Sequence, residues 1–103
     1  MGTGLETAPD IFEETEQEQA LEPNYKVFIH NDDTTPYDFV VLILQKIFEL
    51  SPLAAEHVTF IAHSAGTAYV ATYPKTEAQT RVGKAHFAAG LEGFPLHFSI
   101  EPE

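Results

Sequence analysis

Cysteine and tryptophan are absent from this chain of 103 residues, and methionine occurs once. Without cysteine there can be no disulfide framework, no thiolate zinc site and no thiol nucleophile, so any metal would have to be held by histidine or carboxylate. Basic residues are scarce as well: 5 Lys and Arg stand against 16 Asp and Glu, a formal net charge of −11. A surplus of that sign repels phosphate backbones, which argues against nucleic acid and in favour of cationic partners. No apolar run approaches the roughly 20 residues that span a bilayer. The opening MGTGLETAPD has neither the basic-then-apolar pattern of a secretory signal nor the Arg-rich pattern of a transit peptide. A soluble, cytoplasmic protein without cofactor is expected.

What is present fits one small domain. Hydrophobic residues make up 44% of the chain, an ordinary globular share, and the length suffices for a single core. The first 22 residues differ in character, with seven acids, no Lys or Arg and few large apolar groups. Such a stretch buries too little apolar area to offset the entropy of ordering it. Residues 1–23 therefore read as an acidic extension, either simply solvated or able to engage a partner, and residues 24–103 as the folded core.

Structure is expected from Tyr25, where Tyr25, Val27 and Ile29 alternate with Lys26, Phe28 and His30 in the period of a strand. The polar turn NDDTTP follows. Thr35 as N-cap, Pro36 at the first helical position and Asp38 at the third would start a helix running to about Leu50. Its stretch FVVLILQKIFEL is apolar nearly all round, which predicts a helix in the centre of the domain. Ser51-Pro52 repeats the start signal, and Gly66 supplies a left-handed stop for a second helix. TAYVATY reads as a second strand closed by Pro74, Lys75 to Ala89 as a third helix stopped by Gly90, and LHFSI as a third strand. The fold class is α+β, order β-α-α-β-α-β, with a small, largely antiparallel three-stranded sheet and three helices packed on one face.

Chemistry concentrates at the entrance to the first helix, in His30-Asn31-Asp32-Asp33-Thr34-Thr35-Pro36. Short polar residues suit any turn, so turn-making explains the polarity; it does not demand two adjacent carboxylates. Thr59, Ala62 and His63 share one face of the second helix. A lone His there is either a packed or surface residue or, if that face looks toward the turn, part of a site. Together Asn31, Asp32 and His63 offer an amide carbonyl, a carboxylate and a neutral imidazole nitrogen, which are three acceptors for the three donors of a primary ammonium. Tyr37, Val40 and Leu96 add an apolar lining. Charge beside an apolar hollow describes an amino-terminal residue with a bulky side chain.

The segments YKVFIHNDDTTPYDFVV, IAHSAG, TEAQTRV and FPLHFSIEPE resemble, in order and spacing, the ClpS family of protease adaptors over Tyr25 to Glu103. The resemblance implies an adaptor, not an enzyme. It would bind N-degrons, amino-terminal Phe, Leu, Tyr or Trp, and deliver them to a ClpA- or ClpC-type AAA+ unfoldase for ClpP degradation; a monomer suits such an adaptor, and the oligomeric state is left open. By matching positions it implies that Asn31, Asp32 and His63 hold the α-amino group and that Asp33 and Thr35 support the loop. Tyr37, Val40, Thr59, Ala62 and Leu96 would line the side-chain pocket, and the acidic extension would approach the unfoldase. Two departures stand out. Tyr37 and Thr59 occupy rim positions where relatives usually carry methionine, and the family's AETK reads Ala78-Gln79-Thr80-Arg81, leaving Arg81 as the docking charge.

Two other classes remain open. His30, Asp32, Asp33 and His63 could serve as ligands of a metal-dependent enzyme, although no helical metal spacing such as HExxH is present. A small α+β sandwich also resembles the carboxyl-terminal domain of the acidic ribosomal stalk protein, a protein-protein interaction module that needs no polar pocket. His57, His86 and His97 read as surface or packing residues.

Overall fold

A computed structural model describes residues 21–103. Most of the acidic extension read at residues 1–23 thus lies outside the described residues. Its last positions contact the core: Glu22 accepts from the backbone N–H and the hydroxyl of Thr76, and the Pro23 carbonyl accepts from Lys75 N–H.

Strand β1 (Asn24–His30) is central in a three-stranded sheet of order β2-β1-β3 and runs antiparallel to both β2 (Thr67–Pro74) and β3 (His97–Pro102). The alternation read in YKVFIH appears as Val27 and Ile29 buried in the core and Lys26, Phe28 and His30 on the other side. One register shift falls between Val27 and Phe28, which pair with Ala71 and Tyr69. Helices α1 (Tyr37–Lys46), α2 (Pro52–Ala65) and α3 (Lys75–Leu91) complete the order β-α-α-β-α-β. Val40, Ile43 and Leu44 of α1 join Val27, Ile29, Ala68, Val70 and Phe98 of the sheet in one core, closed by Ala55 and Ala62 from α2 and Ala78, Ala85 and Ala89 from α3.

Helix α2 begins and ends as its sequence predicts. Ser51 Oγ accepts from Ala54 N–H, Pro52 occupies the first helical position, and Gly66 caps the end at φ 93°. The other two helices differ from expectation. The N-cap of α1 is Pro36, not Thr35, because the Thr35 hydroxyl donates to Asp32 instead of serving the helix. The helix stops at Lys46, short of Leu50: Glu49 takes a φ of 58° and Leu50 N–H turns back to the Leu44 carbonyl at 3.1 Å. Only one face of α1 is buried, and Leu42 is exposed. Helix α3 runs through Gly90; the positive φ that ends it belongs to Gly93, and Phe94 N–H reaches back to the Ala89 carbonyl.

Candidate functional site

The turn after β1 is organised by one side chain. Asp32 Oδ1 accepts from the backbone N–H groups of Thr34 and Thr35 at 2.8 and 2.7 Å, and Oδ2 accepts from the Thr35 hydroxyl at 2.8 Å. Burial opposes the charge on this carboxyl, but the hydrogen bonds from Thr35 and Thr34 outweigh it and hold its pKa below the ordinary aspartate value. Asp32 is accordingly a carboxylate at neutral pH. Three accepted bonds leave about one of its four lone-pair sites for another donor.

The turn is tied to the end of α2. Asn31 N–H donates to the Gly66 carbonyl at 2.9 Å, and the Thr67 hydroxyl donates to the Ile29 carbonyl at 3.1 Å. These bonds set His63, in the last turn of α2, beside the polar loop. A cavity of about 200 Å³ lies between them, and every residue read from the sequence as ligand-binding, loop-supporting or pocket-forming lines it: Asn31, Asp32, Asp33, Thr35, Tyr37, Val40, Thr59, Ala62, His63 and Leu96.

Its mouth and floor are chemically distinct. Val40, Thr59, Ala62 and Leu96 are buried, whereas Asn31, Asp33 and His63 are exposed. The Thr59 hydroxyl donates to the Ala55 carbonyl at 2.7 Å, so the polarity expected of this residue is turned into its own helix. Tyr37 stands at the rim, its ring meeting His63 edge-to-face with centroids 6.1 Å apart. No Lys or Arg lines the cavity. An ionised carboxylate, an amide and an imidazole above an apolar floor can hold a small cation attached to an apolar group. The volume suits one side chain, since drug-sized ligands need about 300–1,000 Å³.

Two lining residues escaped the sequence reading of the pocket. Ile29 was legible as an inward-facing strand residue, and strand parity carried that signal to the cavity wall. His30 was read only as a possible metal ligand; its Nε2 lies 2.7 Å from Ser99 Oγ. Its ring stacks obliquely on His97, which in turn lies parallel to His86. His86 Nε2 accepts from the backbone N–H of Phe98 at 2.9 Å. Among the described residues no group of three His, Asp or Glu converges as a metal ion would require.

Arg81 stands apart from the cavity. Its guanidinium bonds Glu77 through Nε at 2.9 Å and Nη2 at 2.8 Å, donates from Nη1 to the Ile47 carbonyl at 2.6 Å and packs over the Tyr73 ring at 4.7 Å. The charge read as a docking contact is thus engaged inside the fold, where it fastens the end of α1 to α3.

Comparison with known proteins gives a consistent answer. The family model of the ATP-dependent Clp protease adaptor protein ClpS matches residues 20–99. The ATP-dependent Clp protease adapter protein ClpS of Desulfatibacillum aliphaticivorans is 35% identical over 94 residues, covering 91% of this chain and 90% of the relative. ClpS 2 of Mesorhizobium japonicum is 42% identical over 79 residues, covering 77% of this chain and 78% of the relative. Among solved structures, Agrobacterium tumefaciens ClpS2 bound to L-phenylalaninamide superimposes with a TM-score of 0.75 at 37% identity, covering 79% of this chain and 98% of that one. With matches of this breadth the chain belongs to the ClpS family of ATP-dependent Clp protease adaptors.

Proposed function

We propose that this protein is an N-degron receptor: it binds the free α-amino group and the bulky hydrophobic side chain of amino-terminal Phe, Leu, Tyr or Trp. It then hands the polypeptide to a ClpA- or ClpC-type unfoldase for degradation by ClpP. It acts by binding and release, without breaking a bond itself. The observation that carries this reading is the union, in one cavity, of an ionised Asp32 with Asn31 and His63 at the mouth and Val40, Thr59, Ala62 and Leu96 on the floor. Phenylalaninamide, held by the Agrobacterium relative, pairs a free α-amino group with an apolar ring.

In this reading Asn31, Asp32 and His63 accept from the ammonium, Asp33 and Thr35 shape the loop, and Tyr37 closes the rim. Each charge-assisted bond contributes about 1.5–3 kcal/mol. The ligand amine, with a reference pKa of about 7.7–8.0, must keep its proton to donate, so affinity falls as the pH rises above that value. Handover rests on family kinship; Arg81, read from the sequence as the docking charge, engages three of its five donors within the fold and keeps its charge for a partner. We take the working form to be a cytoplasmic monomer; no helix among the described residues is long and apolar enough to cross a membrane.

The test is fluorescence titration of short peptides that differ only in their first residue, each with an N-acetylated twin. Phe-, Leu-, Tyr- and Trp-initiated peptides are expected to bind and their acetylated twins to fail. Equal affinity for an acetylated and a free peptide would sink the proposal. A chelator added to the titration should leave binding unchanged; its loss would favour a metal site.

A further inference from the structure

The three acceptors differ in how firmly they are held. Asp32 is fixed by the bonds from Thr34 and Thr35, and the Asn31 backbone is tied to Gly66, although its side-chain amide makes no hydrogen bond among the described residues. His63 has no such anchor: none of the side-chain hydrogen bonds among the described residues involves it. An exposed imidazole without a bonded ring nitrogen is free to rotate and to exchange tautomers, and both degrees of freedom must be frozen before it can accept from a ligand.

The aromatic contact that its ring makes is with Tyr37, edge-to-face at an interplanar angle of 78°. Tyr37 is well placed for that service. It is the first residue of α1, directly after Pro36, whose φ of −62° is set by its own ring. Its hydroxyl lies 3.5 Å from the Glu56 carbonyl, two turns back from His63 along α2. A tyrosine has only two side-chain torsions, so a ring held between Glu56 and His63 loses little entropy when the ligand arrives.

We propose that Tyr37 is a positioning residue for His63: its ring, meeting the imidazole edge-to-face, holds His63 in the orientation that accepts from the ligand's ammonium. This deepens the N-degron reading and rests on it for its effect on affinity. The bracing itself is a property of the free protein.

The experiment therefore has two arms. In the first, Phe-initiated peptide is titrated against wild type, Tyr37→Ala, His63→Ala and the double variant. An edge-to-face pair predicts an affinity loss of about 2- to 12-fold for Tyr37→Ala. In the His63→Ala background the same change should cost clearly less, since the group it braces is gone and only the rim contact of Tyr37 with the ligand remains. Losses that multiply in full would show that Tyr37 acts on the ligand alone and not through His63, and would overturn the proposal. Tyr37→Phe should bring affinity back to within about twofold of wild type, because the edge-to-face contact remains and only the long 3.5 Å hydroxyl approach to Glu56 is lost; failure to rescue would also overturn it. In the second arm, NMR of the ligand-free protein follows the His63 ring. Its resonances should shift and average toward those of a free imidazole in Tyr37→Ala and not in Tyr37→Phe, at unchanged melting temperature. An unmoved His63 signal refutes the bracing whether or not any peptide binds, and Tyr37→Leu gives the same reading if the alanine variant is unstable. Wild type that binds no free-amino peptide, with the NMR shifts as expected, would refute the N-degron reading and leave the bracing standing.

Discussion

Asp32 serves both the loop and, on the proposed function, the ligand, and Asp32→Asn separates the two roles. The asparagine carbonyl can still accept from Thr34 and Thr35 N–H as Oδ1 does, and its amide can donate to the Thr35 hydroxyl, which then reverses its role. The turn keeps its shape while the charge disappears. A hydrogen bond to a charged group contributes about 1.5–3 kcal/mol and a neutral one about 0.5–1.5. The difference, about 1–1.5 kcal/mol, corresponds to roughly a 5- to 12-fold weaker complex. Asp32→Ala removes the bond and the turn's acceptor together, so its loss should be at least about tenfold and larger than that of asparagine. Anisotropy titration of a labelled Phe-initiated peptide at pH 7, with melting curves of each variant, measures both. The order wild type, Asn, Ala is the expected outcome. Asp32→Asn binding within twofold of wild type, in a variant that melts normally, would refute the charge-assisted grip.

Other consequences can be checked separately. Arg81→Met removes the bonds to Ile47 and Glu77 and the contact with Tyr73, and should destabilise by about 2 kcal/mol, lowering the melting temperature by roughly 8–16 °C. Arg81→Lys should rescue little, having no planar fork; a drop under 3 °C for the methionine variant would contradict the pinning role. Thr59→Val should leave peptide affinity within twofold, because the hydroxyl proton is committed to Ala55; a fivefold loss would mean that the hydroxyl faces the ligand. Burial first, and then the neighbouring His97, hold His86 below the ordinary histidine value, and accepting from Phe98 N–H also requires an unprotonated Nε2. The unfolded chain therefore takes up this proton more readily, and stability should fall as pH drops below about 6.5. A second loss should begin below the ordinary aspartate value of 3.8, where the depressed Asp32 carboxyl no longer favours the folded state. Urea denaturation at pH 7.5 and 5 tests the first step, and an unchanged difference in His86→Gln would refute its assignment.

Much of the site was legible because it is built from local patterns that carry their own geometry. Strand alternation placed Val27 and Ile29 inward, Ser51-Pro52 and Gly66 bounded α2, and the polar turn between β1 and α1 marked the mouth. What escaped depends on contacts distant in sequence or on competition between partners. Thr35 has the composition of an N-cap, yet Asp32, three residues earlier, claimed its hydroxyl. The early end of α1 follows from the left-handed Glu49 and from Arg81, 34 residues beyond the Ile47 carbonyl that it holds. Arg81 looked like a surface charge because nothing nearby in sequence announces Tyr73 beneath it. The stacking of His30, His97 and His86 likewise needs strand pairing and the approach of α3 before it exists at all.

The bond from Asn31 N–H to the Gly66 carbonyl has a kinetic meaning. It fastens the two walls of the cavity to each other in the free protein, which on the proposed function makes the receptor a socket and not a jaw. Capture then needs no closing movement, and encounter rates should be nearly the same for peptides with different first residues. Discrimination would reside in how long each guest stays. For an adaptor that must surrender its cargo, dwell time is the quantity that a waiting machine can exploit.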